Sequence, residues 1–295
     1  MSRPLDPATA ATPALSALVR DWTFVRSTPP AVVRLARLKS LLTGVRRAPR
    51  SAVVRPVTAR GQWTAYFLYA ADGQLTAAHR YTLERLRALP RGLLVVCAVP
   101  RPDLIPADVL AIADAVIWKA LDGYDFSAYA LAVREIAAHA PGADLFVMND
   151  SVLGPFVDLE PVLARSRWNF TGFTAWSAFE NHVQSYAWHL RGVTPAVVRA
   201  LRTVLPARVA FNHFQQVVNC QETRLARVAA GLMSVGALWY APTQQSGDPS
   251  LHYALPLLEA GFPFLKRSLA GGKLAERADQ QLVRRLLDER GHPFA

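Results

Sequence analysis

Two short segments carry polar side chains whose types and spacing point to chemistry. The run Lys119-Ala120-Leu121-Asp122-Gly123-Tyr124-Asp125-Phe126 leads from an apolar stretch into an Ala-rich one, and Asn149-Asp150-Ser151 follows another apolar stretch. If both apolar stretches are strands of one parallel sheet, the polar segments lie at carboxyl ends and face a common crevice. Asp150, after the later strand, can hold a divalent cation that bridges a diphosphate. Asp122 or Asp125, in a strand-to-helix loop, can hydrogen-bond a ribose or a base. In the second half the ionisable candidates are Glu222, Glu180, His182, His252 and Lys266, with Gln184 and Ser185 beside His182.

The elements that must position these residues show from residue 61 onward. Residues 63–69 read as a buried strand that ends at the Asp72-Gly73 turn, and residues 76–89 read as a helix. Residues 92–99 form a continuous apolar run closed by Pro100 and Pro102, the pattern of a parallel strand covered on both faces. Further strands are expected at 115–118 and 144–148, with a helix at 127–139 opened by a cap at Ser127. This alternation predicts an α/β fold with a doubly wound, mostly parallel, Rossmann-like sheet and right-handed crossovers. Loops 69–73, 99–103, 119–126 and 149–155 then surround one crevice.

The second half is less regular and aromatic-rich: Trp168, Phe170, Phe173, Trp176, Phe179, Tyr186 and Trp188 fall close together. They read either as a sugar-stacking floor or as core beside the sheet. The chain thus divides into a basic, helical segment at 1–60, an α/β region at 61–165 and a third region at 166–295.

The net charge of +11 is regional. Residues 1–60 hold 11 Lys and Arg against Asp6 and Asp21, a balance of +9, which leaves +2 for the rest. Leu35, Leu38, Leu42 and Val45 recur there at helical spacing, with Trp22 and Phe24 upstream. That segment reads either as a solvated helix packed on the body or as a contact with an anionic membrane surface. Nucleic acid is not the expected partner, because the basic charge is confined to this one segment. Cys97 and Cys220 lack the spacing of a zinc site or a disulfide framework. No secretory signal and no apolar run of spanning length is present, so the expectation is a soluble, cytoplasmic protein that can be peripheral on the inner face of the cell membrane.

Five segments, in order, make the chain resemble the rhamnan synthesis protein F family of glycosyltransferases. They are LDGYDFSAY at 121–129, FVMNDSVLGPF at 146–156, HVQSYAWHL at 182–190, the Gln221-Glu222 region, and DPSLHYALPLLEAGFPFLKRSL at 248–269. The resemblance implies a GT-A-like fold, a nucleotide-activated sugar donor such as dTDP-L-rhamnose, and a lipid-linked polysaccharide or O-antigen acceptor. It also implies inversion of the donor's anomeric centre. Asn149-Asp150-Ser151 stands where many related enzymes carry Asp-x-Asp. A single carboxylate there leaves open whether Asp150 holds Mg²⁺ or Mn²⁺ or hydrogen-bonds the donor sugar directly.

On this reading Asp72, Asp122, Gly123, Asp125, Asn149, Asp150 and Ser151 bind the donor. His182, Gln184, Ser185, His252 and Lys266 bind acceptor or phosphate, and Lys266 or Arg267 neutralises the diphosphate leaving group. Glu222 is the candidate general base, with Glu180 its nearest competitor; Glu222 equally reads as a carboxylate favoured by a helix N-terminus. Two alternatives remain: another nucleoside-diphosphate donor on the same fold, or a catalytically silent glycan-binding subunit of a polysaccharide-synthesis complex.

Overall fold

The computed structural model describes residues 14–270 and 280–293. Residues 1–13 of the basic segment, and 271–279 and 294–295 of the third region, lie outside the described residues.

The basic segment contributes strands β1 (Val19–Thr23), β2 (Val45–Arg47) and β3 (Ser51–Arg55). The four strands expected from apolar runs follow as β4 (Gln62–Tyr69), β5 (Gly92–Ala98), β6 (Ala115–Lys119) and β7 (Ala143–Asn149), nearly every residue of them buried. The second half adds β8 (Val152–Leu153), β9 (Phe170–Ser177), β10 (Asn181–Val183) and β11 (Ala187–Val193). Last come β12 (Val209–Phe211), β13 (Val235–Ala241) and β14 (Leu265–Lys266).

Ten of these strands form one sheet in the order β1-β13-β9-β11-β7-β4-β5-β6-β3, with β10 paired to β9 off that path. The block β7-β4-β5-β6 is parallel throughout. In β4 and β5, Trp63, Ala65, Phe67, Leu94 and Val96 enter the core on one face, while Tyr66, Leu68, Leu93, Val95 and Cys97 enter the core on the other. Strand side chains alternate between faces, so burial on both faces requires the unbroken apolar run seen in the sequence.

Outside that block the sheet is mixed. β11 runs antiparallel to both β7 and β9, and the edge strands β1 and β3 are antiparallel to their neighbours, while β13 lies parallel to β9. Short connections through β10 fold β9 back on β11, a geometry that antiparallel strands permit and parallel ones do not. The third region is therefore part of the same sheet.

One local expectation needs correction. The helix expected at 127–139 spans Tyr124–His139, with Gly123 at its N-cap in a left-handed conformation. Ser127 is not the cap; it lies inside the helix and donates to the Tyr124 carbonyl at 2.8 Å. Asp125 in the first turn accepts from the Phe126 N–H at 2.9 Å, which satisfies one exposed amide and extends the helix backwards. The aromatic cluster is mostly core: Trp168, Phe170, Phe173, Tyr186 and Trp188 are buried, and only Phe179 is open to solvent.

The helix Ala31–Thr43 is fastened to the body through Arg37. Its Nε donates to the Asn219 carbonyl at 2.7 Å, and its Nη2 reaches Thr223 Oγ1 at 3.1 Å and the Glu180 carboxylate. Trp22 stacks on Tyr240 with centroids 4.0 Å apart and packs on the core, together with Phe24. Among the described residues, no helix is long and apolar enough to cross a membrane. Cys97 and Cys220 are free and buried.

Candidate active site

Strand order reverses between β4 and β7, where the chain passes from one half of the sheet to the other, and a sheet of this kind opens beyond the carboxyl ends at that point. A cleft of about 640 Å³ lies there. Phe67 and Tyr69 line it from β4, residues 121–125 from the loop after β6, and residues 149–151 from the end of β7. Ser185, Tyr186, Asn212, Phe214, Val217, Val218, Glu222, Lys266 and Arg267 close it from the second half. A second hollow of about 540 Å³, at the amino-terminal edge near Arg60, Arg87 and Arg91, contains none of the predicted residues.

Lys266 reaches the cleft because β14 pairs antiparallel with β8, which sets Lys266 opposite Val152. Its Nζ lies 4.4 Å from the Tyr186 ring centroid and donates to Ser151 Oγ at 3.3 Å. From there a chain of hydrogen bonds runs inward. Ser151 Oγ donates to Asn149 Oδ1 at 2.6 Å, and Asn149 Nδ2 donates to Asp125 Oδ2 at 2.8 Å. Tyr129 also donates to that carboxylate, at 3.3 Å. Burial above all, and then the charge of Glu222, push the Asp125 carboxyl up to about 6; Asn149, the Phe126 amide and Lys266 act against the rise. Burial draws the Lys266 ammonium below its ordinary range, while Asp248, Glu222 and Asp125 hold it up.

Asp150 secures the end of β4. Its N–H donates to the Phe67 carbonyl at 3.1 Å, and its Oδ2 accepts from the Tyr69 N–H at 2.9 Å. His79 Nε2 stands 3.5 Å from the same oxygen. Because His79 Nδ1 accepts from the Thr76 N–H in a capping box, the ring proton sits on Nε2 and faces Asp150.

Glu222 ends a π-helical turn, Val218–Glu222, an uncommon conformation that aims its side chain into the cleft. Ser185 Oγ donates to Glu222 Oε2 at 2.9 Å. Glu180 is different: its side chain is fully buried and paired with Arg37 and Arg227, away from the cleft.

Asp122 stands exposed at the rim, where Asn212 Nδ2 donates to its Oδ1 at 3.2 Å, while Asn212 Oδ1 accepts from the Gly123 N–H at 2.9 Å. Four predicted residues lie outside the cleft lining. Asp72 is exposed and caps its own turn through the Gln74 N–H. His182 is buried against Trp176, its Nδ1 bonded to the Glu180 carbonyl. Gln184 is a buried hub that donates to both Asp248 oxygens at 3.0 Å and accepts from Thr174 at 2.6 Å. His252 is exposed and contacts the Asp248 carbonyl. The loop at 99–103 also stays out of the lining.

Sequence reading gave no individual role to Lys119, His79, Tyr129, Asn212 or Phe214. Lys119 is fully buried at the end of β6 and donates to the carbonyls of Ala120 at 3.0 Å and Asp122 at 2.5 Å, shaping the loop that carries Asp122 and Gly123. Burial brings its ammonium down to about 8. A lysine that directly follows a buried apolar strand was the signal available for it. Asn212 gave none.

The donor set is a poor fit for a protein-held divalent cation. Asp150 spends Oδ2 on a backbone amide, Asp125 spends its oxygens on Asn149, Tyr129 and Phe126, and no cluster of three His, Cys, Asp or Glu forms among the described residues. Positive charge in the cleft comes from Lys266 and Arg267.

No protein-family model and no curated protein matches the chain. One solved structure, from Desulfovibrio desulfuricans G20 and provisionally assigned as a nucleotide-diphospho-sugar transferase, is 12% identical over 77% of this chain and 96% of that one, with a TM-score of 0.35. At that score the folds correspond only loosely, and nothing about ligand or reaction carries over.

Proposed function

We propose that the chain is a GT-A-like glycosyltransferase that moves a sugar, L-rhamnose from dTDP-L-rhamnose, to a lipid-linked cell-surface polysaccharide or O-antigen acceptor. The observation that supports it is convergence: all five segments of the family resemblance contribute to the sheet-end cleft or to the residues that brace it, although they are spread over more than half of the chain. The donor is assigned to the 61–165 half and the acceptor to the 166–295 half. The reaction takes place on the cytoplasmic face of the membrane, with no part for nucleic acid.

In this reading Asp125, Asn149 and Asp150 orient the donor sugar, with Asp122 and Gly123 at the nucleoside. Glu222 takes the proton of the acceptor hydroxyl as its oxygen attacks the anomeric carbon from the side opposite the diphosphate, which inverts that centre. The bond from the anomeric carbon to the diphosphate oxygen breaks, and its electron pair leaves on the nucleoside diphosphate. Lys266 and Arg267 offset the charge that develops there. Ser185 holds the Glu222 carboxylate toward the acceptor.

The test is nucleotide release from a panel of dTDP-, UDP- and GDP-sugars with a lipid-linked glycan acceptor. Release from dTDP-rhamnose that is lost in Glu222→Gln supports the reading, and release from another donor corrects the sugar alone. Tight glycan binding without release from any donor replaces the transferase by a silent binding subunit.

A further inference from the structure

We infer that the outward face of the helix Ala31–Thr43, together with Phe214, docks onto an anionic lipid bilayer and so delivers the cleft to its acceptor. The inference deepens the transferase reading by naming the partner surface; the docking argument itself stands on the helix.

The helix cannot turn its apolar residues inward. Arg37 is held on the body side by Asn219, Thr223 and Glu180, and Ser40 is buried there, so the rotation of the helix is fixed. Helical spacing then sends Val32, Leu35, Leu38 and Leu42 outward, from 53% to 76% exposed. Phe214, on the neighbouring turn that packs against this helix, is 63% exposed. An apolar face exposed to this extent marks a contact surface.

Its charge selects the occupant. Residues 22–60 contain nine Lys or Arg and no Asp or Glu. Arg34 and Lys39 flank the leucines along the helix, and Arg46 and Arg47 stand exposed on β2 just beyond it. A second copy seated on this face by two-fold symmetry would set basic against basic. A nucleic acid would find leucines where phosphate contacts are needed. Anionic headgroups above an apolar layer match both features.

The position suits delivery. The helix packs on the turn Phe214–Val217 and on the π-helical turn that ends at Glu222, and Phe214, Val217, Val218 and Glu222 of these turns line the cleft. A bilayer on the helix therefore lies beside the cleft mouth, where a lipid-linked glycan would enter.

The experiment is flotation of the whole protein with phosphatidylcholine vesicles, with and without phosphatidylglycerol, at low and high salt. Wild type is expected to float with phosphatidylglycerol vesicles, less so at high salt, and to ignore pure phosphatidylcholine. Leu35→Glu with Leu42→Glu, and separately Arg34→Glu with Lys39→Glu, should each weaken flotation on the order of tenfold or more while the melting temperature and its shift by dTDP persist. Absence of flotation by wild type, or equal flotation by both double variants, overturns the inference. So does a lipid-independent dimer that Leu35→Glu with Leu42→Glu dissolves, which would assign the face to a second copy. Absence of any response to dTDP, UDP or GDP with flotation intact defeats the transferase reading and leaves docking standing.

Discussion

The Ser185 hydroxyl donates to Glu222 Oε2 at 2.9 Å and so joins the segment after β10 to the π-helical turn across the floor of the cleft. The bond fixes one carboxylate oxygen of the proposed base. Glu222→Gln keeps the shape and removes the basicity, so turnover should fall on the order of 10²–10⁴-fold. The dTDP-induced thermal shift should stay, because nucleotide contacts are assigned elsewhere. Ser185→Ala should cost less, since the carboxylate persists without its guide. Steady-state rates of the two variants decide it: a Glu222→Gln enzyme as fast as wild type removes Glu222 from the mechanism.

Asp125 makes the stability of the fold depend on pH. Its carboxyl is raised by burial and by Glu222 to about 6, whereas in the unfolded chain it titrates near 3.8. Between those values the folded chain holds a proton that the unfolded chain has released, so this group lowers stability as pH rises from about 4 to about 6. Asp125→Asn removes that slope and retains an oxygen to accept from Asn149. Above pH 6 the variant should be the more stable by on the order of 1–3 kcal/mol, while its donor affinity falls. Urea melts across pH 4 to 8 test this, and a variant less stable than wild type at pH 7 contradicts the assignment.

How much of this was legible in the sequence depended on distance along the chain. β4 to β7 were readable because burial on both faces demands continuous apolar runs, and the polar residues at their carboxyl ends followed from that geometry. Contacts across the fold were not readable. Asn212 meets Gly123 from 89 positions away, and no local pattern announces such a pairing. Gln184 stood out in a family motif, yet it works inside the core, bracing Asp248 and Thr174; a motif marks a residue without saying whether ligand or fold requires it. The antiparallel place of β11 between β7 and β9 was equally hidden, since its own sequence does not specify a partner.

Lys266 is expected to act on the diphosphate alone. Its ammonium rests over Tyr186 and on Ser151, and burial disfavours its charge, which an incoming diphosphate would stabilise. Lys266→Met should lower turnover on the order of 10²–10³-fold. The variant should also weaken dTDP binding while leaving thymidine binding as it was. Calorimetry with both ligands checks the split, and an equal loss for thymidine would mean that the substitution deforms the cleft instead.

Gly123 bears two constraints at once, which a pair of alanine substitutions can separate. Its φ of +85° lies where only glycine is relaxed, and a Cβ there would stand 2.8 Å from Ser127 Oγ and 3.1 Å from both Ala210 Cβ and Pro49 Cδ. Gly142 has a similar φ of +89° with nothing within 4 Å of the same position. Gly142→Ala therefore measures backbone strain alone, about 1–2 kcal/mol. Gly123→Ala should add about 1–3 kcal/mol for crowding. Since the crowding falls on the loop that presents Asp122 and the first turn that presents Asp125, Gly123→Ala should also weaken dTDP binding, whereas Gly142→Ala should not. Chemical denaturation and nucleotide titration of the two variants give the comparison: matching losses of stability would show that the loop yields without cost, and its close fit to Ala210 and Pro49 would then have no bearing on the cleft.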